Sequence, residues 1–163
     1  MDHLTIDASV ALKFILDEKG SQDARQFHAQ DDNGRILVRN ILSSPALMLL
    51  EVHSTLARKF RKDEIDFSTF LRAPHLLKEL IAFDDLDCGL IEIARGISLL
   101  AHSWSGRNPA QDIQAMSGFN IYDCVYIAHA LKYKTTLVTA DRTQAEIARK
   151  AFAIPVHLIS LSA

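Results

Sequence analysis

The sequence predicts an α/β protein in which helices cover a mostly parallel sheet. Three observations predict this fold. Short apolar runs alternate with longer segments in which apolar residues recur every three or four positions. Some of the short runs end in an acidic residue that a helical segment follows. The chain has 163 residues, 48% hydrophobic and 23% charged, which is typical of a single globular domain spanning residues 1–163.

In the first half of the chain, apolar spacing predicts a buried strand followed by three helices. These elements are a strand over residues 3–6, helices over residues 10–16, 21–31 and 46–60, and a strand or extended stretch over residues 36–38. Gly20 ends the first helix and Asn33-Gly34 forms a turn. Pro45 suits the first turn of the long helix.

The second half of the chain predicts four helices and three strands. The helices cover residues 68–80, 87–102, 120–132 and 142–151, and the strands cover residues 80–83, 136–139 and 156–159. Pro74 starts or kinks the first of these helices. Residues 102–118 have little apolar periodicity, so we expect a long loop or an insertion there, within the one domain.

Composition excludes several classes of protein. The net charge of −2 excludes a strongly basic protein that coats nucleic acid. Two cysteines, Cys88 and Cys124, cannot form a disulfide framework, and we expect both to be reduced and buried. The first residues lack the pattern of a targeting signal, and no apolar run approaches the roughly 20 residues of a membrane span. We therefore expect a cytoplasmic protein with no membrane contact.

Four acidic residues occupy positions that favour a metal site. Asp7 and Asp141 each follow a predicted strand, and Asp123 lies in the first turn of a predicted helix. Ligands of parallel sheets bind where the carboxyl ends of strands meet helix N-termini. Glu51 lies among apolar residues of its helix, where a charge is costly unless it is paired or bound to metal.

The chemistry of such a cluster points to a divalent cation. Two carboxylates 4 Å apart repel each other by about 4 kcal/mol at an effective dielectric of 20. A hard cation such as Mg²⁺ or Mn²⁺ removes that repulsion and prefers oxygen ligands. It can also polarise a phosphodiester and lower the pKa of a bound water.

Each acid also has a purely structural interpretation, which the sequence leaves open. Asp7 and Asp141 have the position of helix N-caps, and Asn120 with Asp123 resembles a capping box. Glu51 could lie on the helix surface and pair with Arg58 or Lys59. The joint pattern of four acids, rather than any one of them, favours the metal site.

The four acids lie in segments that resemble, in order, the four motifs of PIN-domain ribonucleases. These segments are residues 4–14, 49–59, 122–131 and 137–142. The branch that the chain resembles is the VapC-type toxins of prokaryotic toxin–antitoxin pairs. The resemblance implies a PIN-like three-layer α/β/α sandwich around a mostly parallel sheet, and metal-dependent cleavage of RNA.

The resemblance also implies roles for particular residues and partners. By motif match, Asp7, Glu51, Asp123 and Asp141 are the catalytic, metal-binding set, with Mg²⁺ or Mn²⁺ as the cofactor. Ser9 and Thr139 match hydroxyl residues that help to hold metal-bound waters, and Asn120 lies where the family often has Ser or Thr. The implied partners are an RNA substrate, a small antitoxin protein and a second copy of the chain.

Two further groups of residues are candidate RNA contacts. A basic run at the end of the Glu51 helix either complements the helix dipole or contacts the RNA backbone. It consists of Arg58, Lys59, Arg61 and Lys62. In the 102–118 segment, Trp104 can stack on a base and Arg107 can meet a phosphate, if the segment is a lid rather than a surface loop.

Three other functions compete with a toxin ribonuclease. The chain could be a PIN domain that processes or binds RNA without being a toxin, or a catalytically degenerate binding module. It could also be a phosphatase with Asp7 as its nucleophile. Ser9 weakens that last hypothesis, because such enzymes pair the nucleophile with a second Asp two residues later.

Overall fold

The structure is a computed structural model that describes residues 2–30, 36–37, 40–104 and 120–160. Within these residues the chain forms seven strands and seven helices. In chain order they are β1 His3–Ile6, α1 Ala8–Ile15, α2 Ser21–Arg25, β2 Ala29–Gln30, β3 Ile36–Leu37, β4 Ile41–Pro45, α3 Leu47–Arg61, α4 Phe67–Leu80, β5 Ala82–Asp84, α5 Cys88–Trp104, α6 Ile121–Tyr133, β6 Thr136–Thr139, α7 Arg142–Phe152 and β7 Val156–Leu158.

Five strands form one sheet in the order β5-β4-β1-β6-β7, and every neighbouring pair is parallel. β1 lies at the centre, with Leu4 in register with Leu42 of β4 and with Thr136 of β6. Because all five strands run the same way, their carboxyl ends share one edge of the sheet. β2 and β3 form a separate antiparallel pair. The predicted α/β fold with a parallel sheet is confirmed.

Among the described helices, α6 is the most deeply buried. It packs against α5 and α7, and also against β1, β4 and β6. Seven consecutive residues, from Cys124 to Ala130, are buried. A helix that other elements cover on all sides needs apolar residues around its whole circumference. This explains why residues 120–132 lack a clear polar face.

The main correction to the predicted elements is β4, which the sequence did not predict. Ser43 and Ser44 interrupt its apolar pattern, so the segment resembles a loop. In the fold, the Ser44 hydroxyl donates to the carbonyl of Ile6 at 2.8 Å, and Ser43 donates to that of Leu4 at 3.4 Å. Carbonyl groups of β1 thus accept hydrogen bonds from the two serine hydroxyls, whose polarity makes β4 difficult to recognise in the sequence. Pro45 ends this strand and does not lie in the first turn of α3.

A second correction concerns the predicted polar helix over residues 21–31. α2 ends at Arg25, and Ala29–Gln30 forms β2, which pairs with β3. The remaining predicted elements agree with the structure to within two residues, and Pro74 lies inside α4. Cys124 is buried as expected, whereas Cys88 is exposed.

The predicted loop or insertion over residues 102–118 falls mostly outside the described residues. α5 continues to Trp104, so the first part of that segment is helical. No helix in the described part of the chain is long and apolar enough to cross a membrane.

Candidate active site

Asp7 lies at the end of β1, and its carboxylate is held from two sides. Its Oδ1 accepts hydrogen bonds from the Ser9 hydroxyl at 2.7 Å and the Val10 N–H at 2.9 Å, so Asp7 caps α1. Its Oδ2 accepts a hydrogen bond from the Thr139 hydroxyl at 2.6 Å. Only 4% of Asp7 is exposed. The orientation of this carboxylate is therefore fixed by the fold.

Thr139 and Ser9 tie the end of β1 to the end of β6. While donating to Asp7, the Thr139 hydroxyl accepts the N–H of Asp141 at 2.9 Å. The Ser9 hydroxyl likewise accepts the N–H of Ala140 at 3.0 Å. Asp141 in turn caps α7 by accepting the N–H of Gln144 at 2.9 Å. Two hydroxyls thus connect the first acidic segment to the fourth, and both contact Asp7 directly.

Asp123 takes part in the predicted capping box of α6. The Asn120 side chain accepts the N–H of Tyr122 at 2.7 Å and of Asp123 at 3.3 Å. The Oδ2 of Asp123 accepts the N–H of Asn120 at 2.7 Å. The capping prediction for Asn120 is confirmed, and the box fixes the side-chain direction of Asp123.

Glu51 reaches the same region from α3. Its side chain is half-buried, and its Oε2 accepts a hydrogen bond from the phenol of Tyr126. Tyr126 lies on α6, three residues after Asp123, so the two side chains share a face of that helix.

The four carboxylates are linked by repulsion between their negative charges. Burial raises the pKa of Asp7 to about 6, and the negative charge of Asp141 adds to the effect. Burial also raises the pKa of Asp123 to about 6, with further contributions from Asp141 and Asp7. The pKa of Glu51 is raised by burial and by the charge of Asp123. The structure therefore connects all four predicted acids: Asp7, Asp123 and Asp141 act on one another, and Glu51 joins them through Asp123.

The donor chemistry of this group fits a hard divalent cation. Among the described residues, no three His, Cys, Asp or Glu side chains are grouped closely enough to hold a metal ion as they stand. The four acids nevertheless present carboxylate oxygens, the ligands that Mg²⁺ and Mn²⁺ prefer. Their repulsion is the unfavourable free energy that a bound cation would relieve, so Asp7, Glu51, Asp123 and Asp141 are the residues that could hold one.

The basic run lies apart from the acids. Arg58, Arg61 and Lys62 are exposed at the C-terminal end of α3. At 1.5 Å per residue, Arg58 is about 10 Å along the helix from Glu51. Lys59 is engaged in ion pairs with Glu18 at 3.9 Å and with Glu64 at 3.2 Å.

The two remaining candidate RNA contacts have no described side chain. Trp104 is the last residue of α5, and only its backbone is described. Arg107 lies outside the described residues. The lid hypothesis for residues 102–118 therefore stays a prediction.

Two residues of the site were not predicted from the sequence. Tyr126 contacts Glu51, and the buried side chain of Gln144 donates to the carbonyl of Asp123 at 3.2 Å. Each follows one of the aspartates by three residues in a helix, and this spacing is the signal that could have revealed them.

His129 is a side chain packed in the core. It is fully buried and forms hydrogen bonds to Thr5 at 2.9 Å and to Asp84 at 3.0 Å. These hydrogen bonds give His129 a structural role in the core.

Comparison with solved structures places this fold among known ones. A chain in the crystal structure of VapBC2 from Rickettsia felis bound to a DNA fragment from their promoter is similar, with a TM-score of 0.63 and 9% identity. The match covers 97% of this chain and 99% of that one. FitAcB from Neisseria gonorrhoeae is also similar, with a TM-score of 0.58 and 14% identity over 94% of this chain and 95% of the other. At these identities, the likeness shows a common fold.

Comparison of sequences gives the family. No curated protein matches this sequence. A model of the PIN domain matches residues 4–150, a span that contains all four acids. PIN domains are in general nucleases that depend on divalent metals. Because the match covers most of the chain, the protein belongs to the PIN domain family.

Proposed function

We propose that this protein is a metal-dependent endoribonuclease that hydrolyses RNA phosphodiester bonds, and that it is the toxin of a toxin–antitoxin pair. One observation carries the proposal: four carboxylates from four separate segments of a PIN domain form one connected electrostatic group, which Glu51 joins through Asp123. Helix capping accounts for each aspartate by itself, but it explains neither the repulsion among their charges nor the position of Glu51.

The residues of the chain would prepare the site in advance. Asp7, Glu51, Asp123 and Asp141 would hold the cation, which when bound polarises the phosphodiester and lowers the pKa of a water molecule. Ser9 and Thr139 already hold Asp7 in place, so little reorganisation of that carboxylate is needed.

Three helix N-termini add favourable electrostatics. Asp7, Asn120 and Asp141 are the caps of α1, α6 and α7, so the positive ends of these helices lie beside the acids. Helix N-termini also attract phosphate groups. They would help the negatively charged RNA backbone to approach a pocket of carboxylates.

The proposed chemistry does not use histidine as a general base. A cation held by the four acids would supply the activation of water for hydrolysis of the phosphodiester, and the family resemblance implies products with 5′-phosphate and 3′-hydroxyl ends. His129, although on the same helix as Asp123, is fully buried between Thr5 and Asp84.

The proposed partners follow from the family and from the site of Asp7, Glu51, Asp123 and Asp141, which we call the acidic pocket. An antitoxin that masks the pocket should place an Arg or Lys over the carboxylates, because only a cationic side chain offsets their charge. We further propose that the protein acts in the cytoplasm as a homodimer.

Cleavage of generic RNA with and without metal tests the activity. We expect cleavage in Mg²⁺ or Mn²⁺, none in excess chelator, and recovery when metal is restored. Equal cleavage in chelator would contradict the metal dependence. Folded protein that binds metal but leaves all RNA intact would favour a degenerate binding module.

Expression in a bacterial host tests the toxin role separately. The wild-type chain should slow growth, and co-expression of the small protein encoded beside it should restore growth. The Asp123→Asn variant should be harmless at the same protein level. Normal growth with folded, active wild-type enzyme would favour an RNA-processing role.

A further inference from the structure

We propose that Tyr126 is a positioning residue that aims the Glu51 carboxylate at a divalent cation in the acidic pocket. The proposal rests on the function proposed above, because it assumes that the four acids bind a metal. It concerns a residue outside the four acids and gives it a defined task.

Tyr126 lies where three of the four acidic segments meet. It belongs to α6, one turn beyond Asp123, and its phenol donates a hydrogen bond to Glu51 on α3. The negative charge of Asp7 and the backbone N–H of Ala8 also act on the phenol oxygen. One hydroxyl group, carried by the helix of Asp123, is therefore bonded to the acid of α3 and lies beside the start of α1, the helix that Asp7 caps.

Packing alone does not explain this hydroxyl. Tyr126 is only 2% exposed, so its ring fills the core as a phenylalanine ring would. A buried hydroxyl is costly unless it has a hydrogen-bond partner. The acceptor of the phenol proton is one of the four acids, so the donor side of the hydroxyl is satisfied by Glu51.

The hydrogen bond gives the two carboxylate oxygens of Glu51 different roles. A phenol has a single proton to donate, and it goes to Oε2. This fixes the side chain and leaves Oε1 as the oxygen available to a cation. A glutamate with a long, rotatable side chain loses less conformational freedom on binding a metal when a partner already holds it. Such partners of metal ligands typically change metal affinity by about 10–100-fold.

Mn²⁺ binding measured by calorimetry, without RNA, tests the proposal. We expect the Tyr126→Phe variant to bind Mn²⁺ about 10–100-fold more weakly than the wild type. Tyr133→Phe is the matched control, because Tyr133 lies at the far end of the same helix and is exposed. Its affinity for Mn²⁺ should equal that of the wild type.

A double-mutant cycle separates positioning from general damage to the fold. If Tyr126 acts through Glu51, then Tyr126→Phe should weaken Mn²⁺ binding by less than about 3-fold in a Glu51→Gln background. The same loss in both backgrounds would show that Tyr126 acts independently of Glu51, and the proposal would be wrong.

A measurement on the wild-type sequence covers the case in which Tyr126→Phe does not fold. The chain has three tyrosines, so fluorotyrosine labelling gives three ¹⁹F resonances that Tyr122→Phe and Tyr133→Phe assign. Addition of Mg²⁺ should shift the Tyr126 resonance and leave that of Tyr133 in place. A static Tyr126 signal in protein that binds Mg²⁺ overturns the proposal.

The outcomes distinguish this proposal from the one on which it rests. Wild-type protein that binds neither Mn²⁺ nor Mg²⁺ contradicts the proposed metal-dependent function and the role of Tyr126 with it. If the wild type and Tyr126→Phe bind Mn²⁺ with equal affinity, only the proposed role of Tyr126 is contradicted.

Discussion

At the scale of single residues, Asp7 and Asp141 cap helices and Asp123 completes a capping box, and all three also belong to the acidic pocket. Asp7 and Asp141 accept backbone N–H groups at the starts of α1 and α7, and Asp123 closes the capping box of α6. The sequence left capping and metal binding as alternatives. They are compatible, because a cap occupies only some of the lone pairs of a carboxylate and directs the group toward the positive end of a helix.

Replacing Asp123 with Asn tests the metal role of a cap. The Asn side chain keeps an oxygen for the N–H of Asn120 but removes the charge. Loss of a hydrogen-bond partner of a metal ligand already costs about 10–100-fold, so we expect loss of the ligand charge to lower RNA cleavage by more than about 100-fold. The free energy of unfolding without metal should be unchanged or higher, because the repulsion from Asp7 and Asp141 is removed.

Asp66 supplies the matched control for that variant. It caps α4 by accepting the N–H of Thr69 at 2.7 Å, and it is exposed and absent from the acidic pocket. Asp66→Asn should leave RNA cleavage at the wild-type rate. Wild-type cleavage by Asp123→Asn would show that Asp123 is only a cap.

The raised pKa of Asp7 predicts how stability depends on pH without metal. The pKa is about 6 in the folded protein and 3.8 as the ordinary value. The folded state therefore binds more protons than the unfolded state between pH 4 and pH 6. Stability from this group is present below about pH 4 and is lost as the pH rises through about 6, by about 3 kcal/mol in total.

Urea unfolding in chelator checks this dependence. The Asn side chain of Asp7→Asn does not titrate. The free energy of unfolding of this variant should therefore increase relative to that of the wild type as the pH rises from 4 to 7. A difference between the two proteins that stays constant over this range would contradict the raised pKa.

At the scale of elements, the predictable parts were those in which one physical signal dominates. β1 and β6 were predicted with their observed bounds, because each is a short apolar run that ends near an acidic cap. β4 was not predicted, because its serines bond to carbonyls of β1, and that partner is visible only in the fold. Tyr126 was missed for the same reason, because its hydroxyl bonds to Glu51, a residue 75 positions away in the sequence.

The basic end of α3 is a candidate contact for the RNA backbone, and this role predicts a salt effect. Arg58, Arg61 and Lys62 are exposed and follow the helix that carries Glu51. If all three contact phosphates of single-stranded RNA, replacing them with Gln should lower affinity and reduce the slope of log K against log salt by about 2. Fluorescence anisotropy in the Asp123→Asn background measures binding without cleavage.

An equal loss of charge elsewhere is the control for that experiment. Lys78, Arg95 and Lys150 are exposed on α4, α5 and α7. Replacing these three with Gln changes the net charge identically but should leave the salt slope near that of the parent. Equal effects of the two triple variants would show that only overall charge matters, and that the end of α3 is a solvated helix terminus.

At the scale of the whole molecule, the sheet order explains why distant segments meet. β4, β1 and β6 are neighbours, and they lead into α3, α1 and α7. Glu51, Asp7 and Asp141 therefore arrive at one edge, and α6 adds Asp123. The sequence predicted this edge from the rule for parallel sheets, whereas the hydrogen bonds that orient each carboxylate depend on the register between strands.

The acidic pocket makes the whole domain less stable without a cation, and this gives the final prediction. Because Asp7, Asp123 and Asp141 repel one another in the folded chain, a cation that binds only the folded state should stabilise it. At a Mn²⁺ concentration 100 times the Kd, the gain is about 2.7 kcal/mol. For a domain of this size, that corresponds to a rise in Tm of about 5–10 °C. Differential scanning fluorimetry at pH 7 measures it, with Asp123→Asn as the variant that should lose most of the rise and Asp66→Asn as the variant that should keep it. If Mn²⁺ raised the Tm of all three proteins equally, the ion would be binding elsewhere, and the four carboxylates would not be its site.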